Sequence, residues 1–333
     1  MSYDFCASCG LGPDQISEIC SQCGQNQLVF FEDLLSGLQW RRRYEQLREK
    51  ANGNALSYNH KMWRKMAFDR NPLQQQFADK FRIRDYVSEK VGSKYLSQIF
   101  SVANRAEDFP WESLPTEYAL KVNHGSGGSI LVDSGTDPTI ELPETVPPHD
   151  WSRFHIHPDQ AKLSRMIIIA NTWLSQNFTT RPDMTPEWAY HAIKPLLYAE
   201  ELLKSNDGQL PWEFNIYVFH GVAQYFRVRA HDVMETKKTA HLDRNWNNLA
   251  ISFKVINEFL PMDPPPPMPE NLTEMLWFAE ELSSEIDAVR VDFYLVDGEI
   301  IFGELTNYQN AGVGLWHPEE FNFQISATWN QKY

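Results

Sequence analysis

Residues 289–307 constrain this chain more than any other stretch. Two runs of apolar and β-branched residues meet at Asp297-Gly298, which reads as a β-hairpin. Its strands carry Arg290, Asp292 and Glu304 where a plain core hairpin would avoid charge. Strand residues alternate faces, so Arg290 and Asp292 point the same way. A two-residue Asp297-Gly298 turn would set Asp292 and Glu304 on opposite faces. A three-residue loop with Gly298 in the left-handed conformation would set them on one face, and this second geometry is the expectation. Two carboxylates on one face beside Thr306 and Asn307 form an oxygen-rich site suited to Mg²⁺. The competing reading is a partly solvated hairpin with an ordinary ion pair.

The chain has 333 residues, enough for two or three domains or for one large domain with an appendage. It has no run of eighteen apolar residues, so no membrane span is expected. Its start lacks the basic and apolar regions of a secretory signal, and a cytoplasmic location follows as the default. A net charge of −14 argues against a nucleic-acid partner. All four cysteines lie in the pattern Cys6-x-x-Cys9 and Cys20-x-x-Cys23, with Gly10 and Gly24 following each pair. That spacing matches a structural Zn²⁺ ribbon or knuckle. Redox chemistry and two disulfides are the rivals, and a reducing compartment disfavours the latter. Four protein ligands would close the coordination sphere, giving a folded appendage that could also engage a protein partner.

Residues 28–68 read as charged helix around Arg41, Arg42 and Arg43, and residues 73–91 as a further helix through Asp79 and Lys80, ending at Gly92. Residues 114–132 read as strand, glycine-rich loop, strand, with Lys121 just ahead of the loop. This is neither a Walker nor a Rossmann pattern, since no helix follows at once. Its glycines can bring backbone N–H groups up to a phosphate, with Ser hydroxyls adding donors; a flexible hairpin turn is the alternative. His149, His155 and His157 read as turn histidines rather than a metal site. Residues 193–203 give a strand ending in Glu200 and Glu201. Residues 212–229 give a hairpin turning at His220-Gly221, with Arg227 and Arg229 on one face, a pair suited to carboxylate or phosphate; a charged outer face of a sheet is the alternative. Residues 270–286 form an amphipathic helix with Leu272, Met275, Leu276, Ala279, Leu282 and Ile286 as core positions.

The order of these elements resembles the ATP-grasp superfamily, and more closely its TupA-like branch, associated with teichuronopeptide and other cell-surface polysaccharide biosynthesis. The branch's Asp-Lys and Val-Arg-x-Tyr-Val elements are matched by Asp79, Lys80, Ile83, Arg84, Tyr86 and Val87. Its Lys-x-Asn-x-Gly-Ser-Gly element is matched by Lys121, Asn123, Gly125, Ser126 and Gly127. Its late Arg-x-Asp-Phe-Tyr and Phe-Gly-Glu-Leu-Thr runs are matched by Arg290, Asp292, Phe293, Tyr294 and by Phe302, Gly303, Glu304, Leu305, Thr306.

The resemblance implies an α+β ATP-grasp fold, in which two subdomains grip ATP between antiparallel sheets. Residues 1–28 would be the zinc-ribbon-like segment, 29–72 a helical region and 73–333 the ATP-grasp domain, with a lid over 110–200 and a core over 201–333. Lys80 and Lys121 would contact ATP phosphates. Asn123, Gly125, Ser126, Gly127, Gly128 and Ser129 would close over them, while Glu200, Glu201 and Leu203 would supply the adenine hinge. Asp292 and Glu304, with Thr306 and Asn307, would hold Mg²⁺. Arg290 would reach the transferred phosphoryl group or the acyl intermediate, and Arg227 and Arg229 would meet the acid substrate. The implied activity is ATP-dependent carboxylate–amine ligation through an acylphosphate, on a sugar acid, amino acid or surface-glycan precursor. A kinase on the same scaffold and a nucleotide-binding zinc-ribbon adaptor are the alternatives. Many relatives carry Asn where this chain has Thr306, and the zinc segment is an addition to the branch core.

Overall fold

The computed structural model describes residues 42–43, 45–53, 56–180, 187–191, 193–230, 238–254 and 260–333. The fold is α+β, with two principal sheets. The first contains β1 (Ile99–Ala103), β2 (Tyr118–Val122), β3 (Ser129–Val132), β4 (Arg153–Ile156) and β5 (Leu197–Glu200), in the order β1-β5-β2-β3-β4. Only β3 and β4 run parallel. Alternation along β2 turns Leu120 and Val122 into a core with Ile130, Val132, Ile156 and Leu197. Helix α4 (Leu163–Leu174) closes that core with Met166, Ile169, Ala170 and Trp173. Lys121, out of phase with its neighbours, is left for the opposite face. This sheet begins with β1, ahead of the 110–200 span expected for a lid.

The second sheet contains β6 (Trp212–Phe219), β7 (Val222–Ala230), β8 (Lys238–Asp243), β9 (Leu260–Pro261), β10 (Ala288–Val296) and β11 (Glu299–Thr306), in the order β9-β8-β7-β6-β10-β11. One face is apolar: Phe214, Ile216, Phe226, Val228, Val291 and Phe293 pack under Met275, Phe278, Ala279 and Leu282 of α5 (Leu272–Leu282). Each of the larger of these side chains contributes roughly 1.5–3 kcal/mol on burial. The other face is polar, and the register stacks it in rows. Glu304, Asp292, Asn215, Arg227 and His241 lie side by side across five strands. A neighbouring row runs Tyr294, Glu213, Arg229, Thr239.

The hairpin turn is not the one anticipated. Val296 pairs with Glu299, so Asp297-Gly298 is a two-residue turn, and both residues have positive φ, 50° and 90°. By itself this turn would part Asp292 from Glu304. A β-bulge between them and the turn restores the match. Phe293 pairs with Phe302, but Asp292 pairs with Glu304, leaving Gly303 as the extra residue. Gly303 is needed there: a Cβ would lie 3.0 Å from the Asp292 carbonyl oxygen and 3.2 Å from the Tyr294 ring.

The helix expected over 73–91 is also interrupted. It forms as α2 (Leu73–Ala78) and α3 (Ile83–Lys90), with Asp79 and Lys80 in the turn between them. The Asp79 carboxylate accepts from the backbone N–H of Phe81 and Arg82, at 3.1 and 3.0 Å, and so opens α3. Upstream, α1 (Tyr58–Phe68) falls inside the expected 28–68 helical region. It packs with Trp316, Phe321 and Trp329 on the Tyr217 and Tyr225 end of the polar face. Lys65 of α1 is fully buried (0% exposed) between Asp69 and Asp287. Asp287 also accepts from Trp329 Nε1 at 2.6 Å and Tyr333 O–H at 2.8 Å, which fastens the C-terminal segment to α1.

No helix among the described residues is long and apolar enough to cross a membrane. Cys6, Cys9, Cys20 and Cys23, and with them the expected zinc site, lie outside the described residues.

Candidate active site

The hairpin wall is built around Arg290. Its Nε donates to Asp292 Oδ1 at 2.7 Å, and its Nη2 donates to Asp292 Oδ2, to Glu304 Oε1 at 3.2 Å and to Thr306 Oγ1 at 3.0 Å. Thr306 Oγ1 also donates to Glu304 Oε1 at 3.1 Å. Two carboxylates and a hydroxyl therefore share one face. Their environments differ. Asp292 is 2% exposed, and burial pushes its carboxyl up to about 7; Arg290 opposes this, while Glu304 and Glu213 reinforce it. The Glu304 side chain is 36% exposed. Burial would raise its pKa too, but Lys80, Arg290 and Arg153 outweigh that and hold it at about 2. Asn307 turns away, donating its amide to the Gln74 carbonyl at 2.7 Å.

The cationic side faces this wall. Lys80 Nζ lies 3.7 Å from Glu304 Oε2. Burial lowers its pKa; Glu304 opposes that, while Arg153 and Lys121 add to it. Lys121 Nζ pairs with Glu200 Oε1, and Glu200 Oε2 accepts from Ser97 Oγ at 2.8 Å and from Arg84 Nη1 at 3.5 Å. Burial pushes the Glu200 carboxyl up, yet Lys121 and these donors hold it below the usual carboxylate value. The turn carrying Lys80 is tied to the first sheet: Lys80 N–H donates to the Asn123 carbonyl at 3.0 Å, and Asn123 Nδ2 donates to Asp79 Oδ1 at 2.9 Å. Asn123 is 0% exposed and also bonds Lys194 O and Leu196 N–H, so its side chain works within the scaffold.

The glycine loop lies against Trp151. A Cβ on Gly127 (φ 110°) would sit 2.0 Å from the Trp151 carbonyl oxygen, and one on Gly125 would sit 2.6 Å from its ring. Gly128 and Ser129 donate their N–H groups to Trp151 and Ser152. The N–H groups of Gly125, Ser126 and Gly127 have no acceptor among the described residues, and Ser126 is exposed. At the end of β5, Glu201 N–H pairs with the Gln98 carbonyl at 2.9 Å, and the Glu201 carboxylate accepts from Gln98 N–H. Leu203 is half-buried, and its backbone has no partner among the described residues.

Arg227 and Arg229 share the polar face but not the same fate. Arg229 Nη2 pairs with Glu213. Arg227 donates from Nε to Asn215 Oδ1 at 2.9 Å. The histidines make local pairs, His155 with Asp133 and His157 with Asp159. Glu213 and Asn215 were legible in the alternation of residues 212–217, by the rule that singled out Arg227 and Arg229. Arg153, which reaches this charge cluster from β4, has no such signal.

Among the described residues no group of three or more His, Cys, Asp or Glu could hold a metal ion unaided. Asp292, Glu304 and Thr306 nevertheless suit Mg²⁺, which takes one or two carboxylates and completes its shell with phosphate and water oxygens. The buried, reluctant Asp292 carboxyl is the kind of group that a divalent charge would hold ionised.

The model of a family described as TupA-like ATPgrasp matches residues 60–328. No match was found among curated proteins. Among solved structures, the ATP-grasp ligase PsnB complexed with minimal precursor is 10% identical, with TM-score 0.36, over 74% of this chain and 58% of that one. An ADP complex of PurK, an N5-carboxyaminoimidazole ribonucleotide synthetase, is 12% identical, with TM-score 0.37, over 80% of this chain and 57% of that one. An Aspergillus clavatus N5-carboxyaminoimidazole synthase is 12% identical, with TM-score 0.35, over 74% and 46%. This chain thus spans about half the length of these enzymes. Likeness at this level does not bear on what it binds.

Proposed function

The chain belongs to the TupA-like ATP-grasp family, of the ATP-dependent, carbon–nitrogen bond-forming ligase class, and from that premise we propose that it joins a carboxylic acid to an amine. The acid is a sugar acid, an amino acid or a cell-surface glycan precursor. The observation that carries the reading is the juxtaposition of Asp292, Glu304 and Thr306 on one face, with Arg290 among them and Lys80 opposite.

In this reading Lys80, Lys121 and the N–H groups of Gly125, Ser126 and Gly127, unpaired among the described residues, receive the phosphates of ATP. Leu203, whose backbone has no partner among the described residues, offers its groups to the base. Asp292, Glu304 and Thr306 hold Mg²⁺, which when bound offsets the charge that spreads over the transferred phosphoryl group. Arg290, fixed by Asp292, points its guanidinium at the same place. Activation of the acid as an acylphosphate, followed by attack of the amine, needs no protein nucleophile.

The test is to supply ATP, Mg²⁺, candidate acids and hydroxylamine, which traps an acylphosphate as a hydroxamate. Hydroxamate and ADP forming together support the ligase. A stable phosphate ester would indicate a kinase, and nucleotide binding without turnover would indicate an adaptor. For Cys6, Cys9, Cys20 and Cys23 the spacing supports structural zinc. Elemental analysis should find about one zinc per chain, lost in Cys9→Ser.

A further inference from the structure

Arg227 is a buried cation (7% exposed) with no carboxylate partner among the described residues; its one hydrogen bond is from Nε to Asn215. Burial lowers its pKa, and the nearby Arg229 and Arg290 add to this. Around it the sheet gathers further unmet groups. His241 stands directly opposite Arg227, and Thr239 directly opposite Arg229. His241 Nδ1, Thr239 Oγ1 and Arg229 Nε are all buried without a partner among the described residues. Burial and Arg227 push the His241 imidazole down to about 3, so it stands neutral, able to donate from one nitrogen. Leaving a buried polar group unmet destabilises the fold, and leaving a buried charge unpaired does so more. Several on one sheet face, all of them donors or able to donate, describe a place shaped for an anion.

We propose that Arg227, with Thr239, His241 and the free Nε of Arg229, is a second anion subsite that takes the non-reacting acidic group of the substrate. The substrate is therefore an acid with two anionic groups. This rests on the ligase reading above and adds the substrate's class to it. The reacting carboxyl belongs beside Asp292 and Glu304. Arg227 lies two strands away along the same row, roughly 10 Å at ordinary strand spacing. A second anionic group on the same substrate is what would span that distance. Arg229 contributes less, because Glu213 already neutralises it.

The test uses the full chain with ATP, Mg²⁺ and hydroxylamine. The acids are adipate, pimelate and suberate against hexanoate, heptanoate and octanoate, with 6-phosphogluconate as a carboxylate–phosphate. The dianions should exceed their monoanionic partners in kcat/KM by about tenfold or more, the worth of a charged hydrogen bond. In Arg227→Gln that preference should fall to about one, while the thermal midpoint of the ligand-free protein stays level or rises, because an unpaired buried cation has been removed. Preference for 6-phosphogluconate over the dicarboxylates would assign the second group to phosphate. Three outcomes overturn the subsite: equal use of mono- and dianions by the wild type, a preference that survives Arg227→Gln, or a lower midpoint in that variant. The first of these leaves the ligase reading standing. Acid-independent ADP release with every acid would instead remove the ligase reading beneath it.

Discussion

Glu304→Gln separates function from folding at this site. The carboxylate is partly open to water and is held at about 2 by Lys80, Arg290 and Arg153. Solvent screening limits what those pairs add to stability to about 1 kcal/mol. At an unfolding entropy of about 2.1 cal/mol/K per residue, 333 residues give about 0.7 kcal/mol per degree, so the midpoint should move by no more than about 1–2 °C. Activity should suffer far more. Removing one preorganised charge from a phosphoryl-transfer site lowers kcat/KM by about 100- to 1,000-fold. Arg290→Gln makes the contrast. It strips the buried Asp292 of its bidentate partner, at about 3–5 kcal/mol, or about 4–7 °C by the same conversion. The assay is Mg²⁺-dependent ADP release beside differential scanning calorimetry for both variants. A Glu304→Gln protein keeping more than about a tenth of wild-type kcat/KM would refute the reasoning. So would one whose midpoint fell as far as that of Arg290→Gln.

Other outcomes follow from the packing. Gly127→Ala, at φ 110° and with Cβ 2.0 Å from the Trp151 carbonyl oxygen, should displace the loop and weaken ATP-analogue binding about tenfold or more, read by calorimetric titration. Lys65→Met should destabilise by about 3–5 kcal/mol, because Asp69 and Asp287 lose the cation between them; urea unfolding measures it. His124 and His241 are buried, and burial pushes their pKa values down to about 4 and about 3. Both therefore stay neutral in the folded state while the unfolded chain takes up protons below about 6.5. Their contribution is full above that pH and is lost as pH falls through about 4 and about 3. Thermal midpoints should drop along that limb, and a flat profile between pH 6.5 and 4 would contradict the assignment.

The hairpin could be read from the sequence because Asp-Gly between alternating strands has few alternatives. The facing of its acids could not, since that depends on parity and Gly303 changes the parity without any distinctive residue pattern. The sequence pattern singles out Lys80 but sets it inside a helix. What breaks that helix is Asp79, whose side chain competes for the backbone N–H groups of the next turn. The glycine loop was visible as a loop. The tightness of Gly125 and Gly127 comes from Trp151, 24 or more residues away, which no local pattern conveys. Arg153 joins the site only through parallel pairing of β4 with β3, a long-range fact.

The turn at Asp79 and Lys80 has a mechanical consequence. Phe77 and Ile83, on either side of it, are rooted in the core beneath the second sheet, whereas its backbone and carboxylate are bonded to Asn123 of the first. The turn is therefore a rivet through both halves. A force that tilts one sheet against the other is carried through Asp79, Lys80 and Asn123. Lys121, on β2, is tied to the same core a second time, because its partner Glu200 also accepts from Arg84 of α3, whose Ile83, Tyr86 and Val87 pack beneath the second sheet. The two lysines are thus fastened to both sheets by separate bonds.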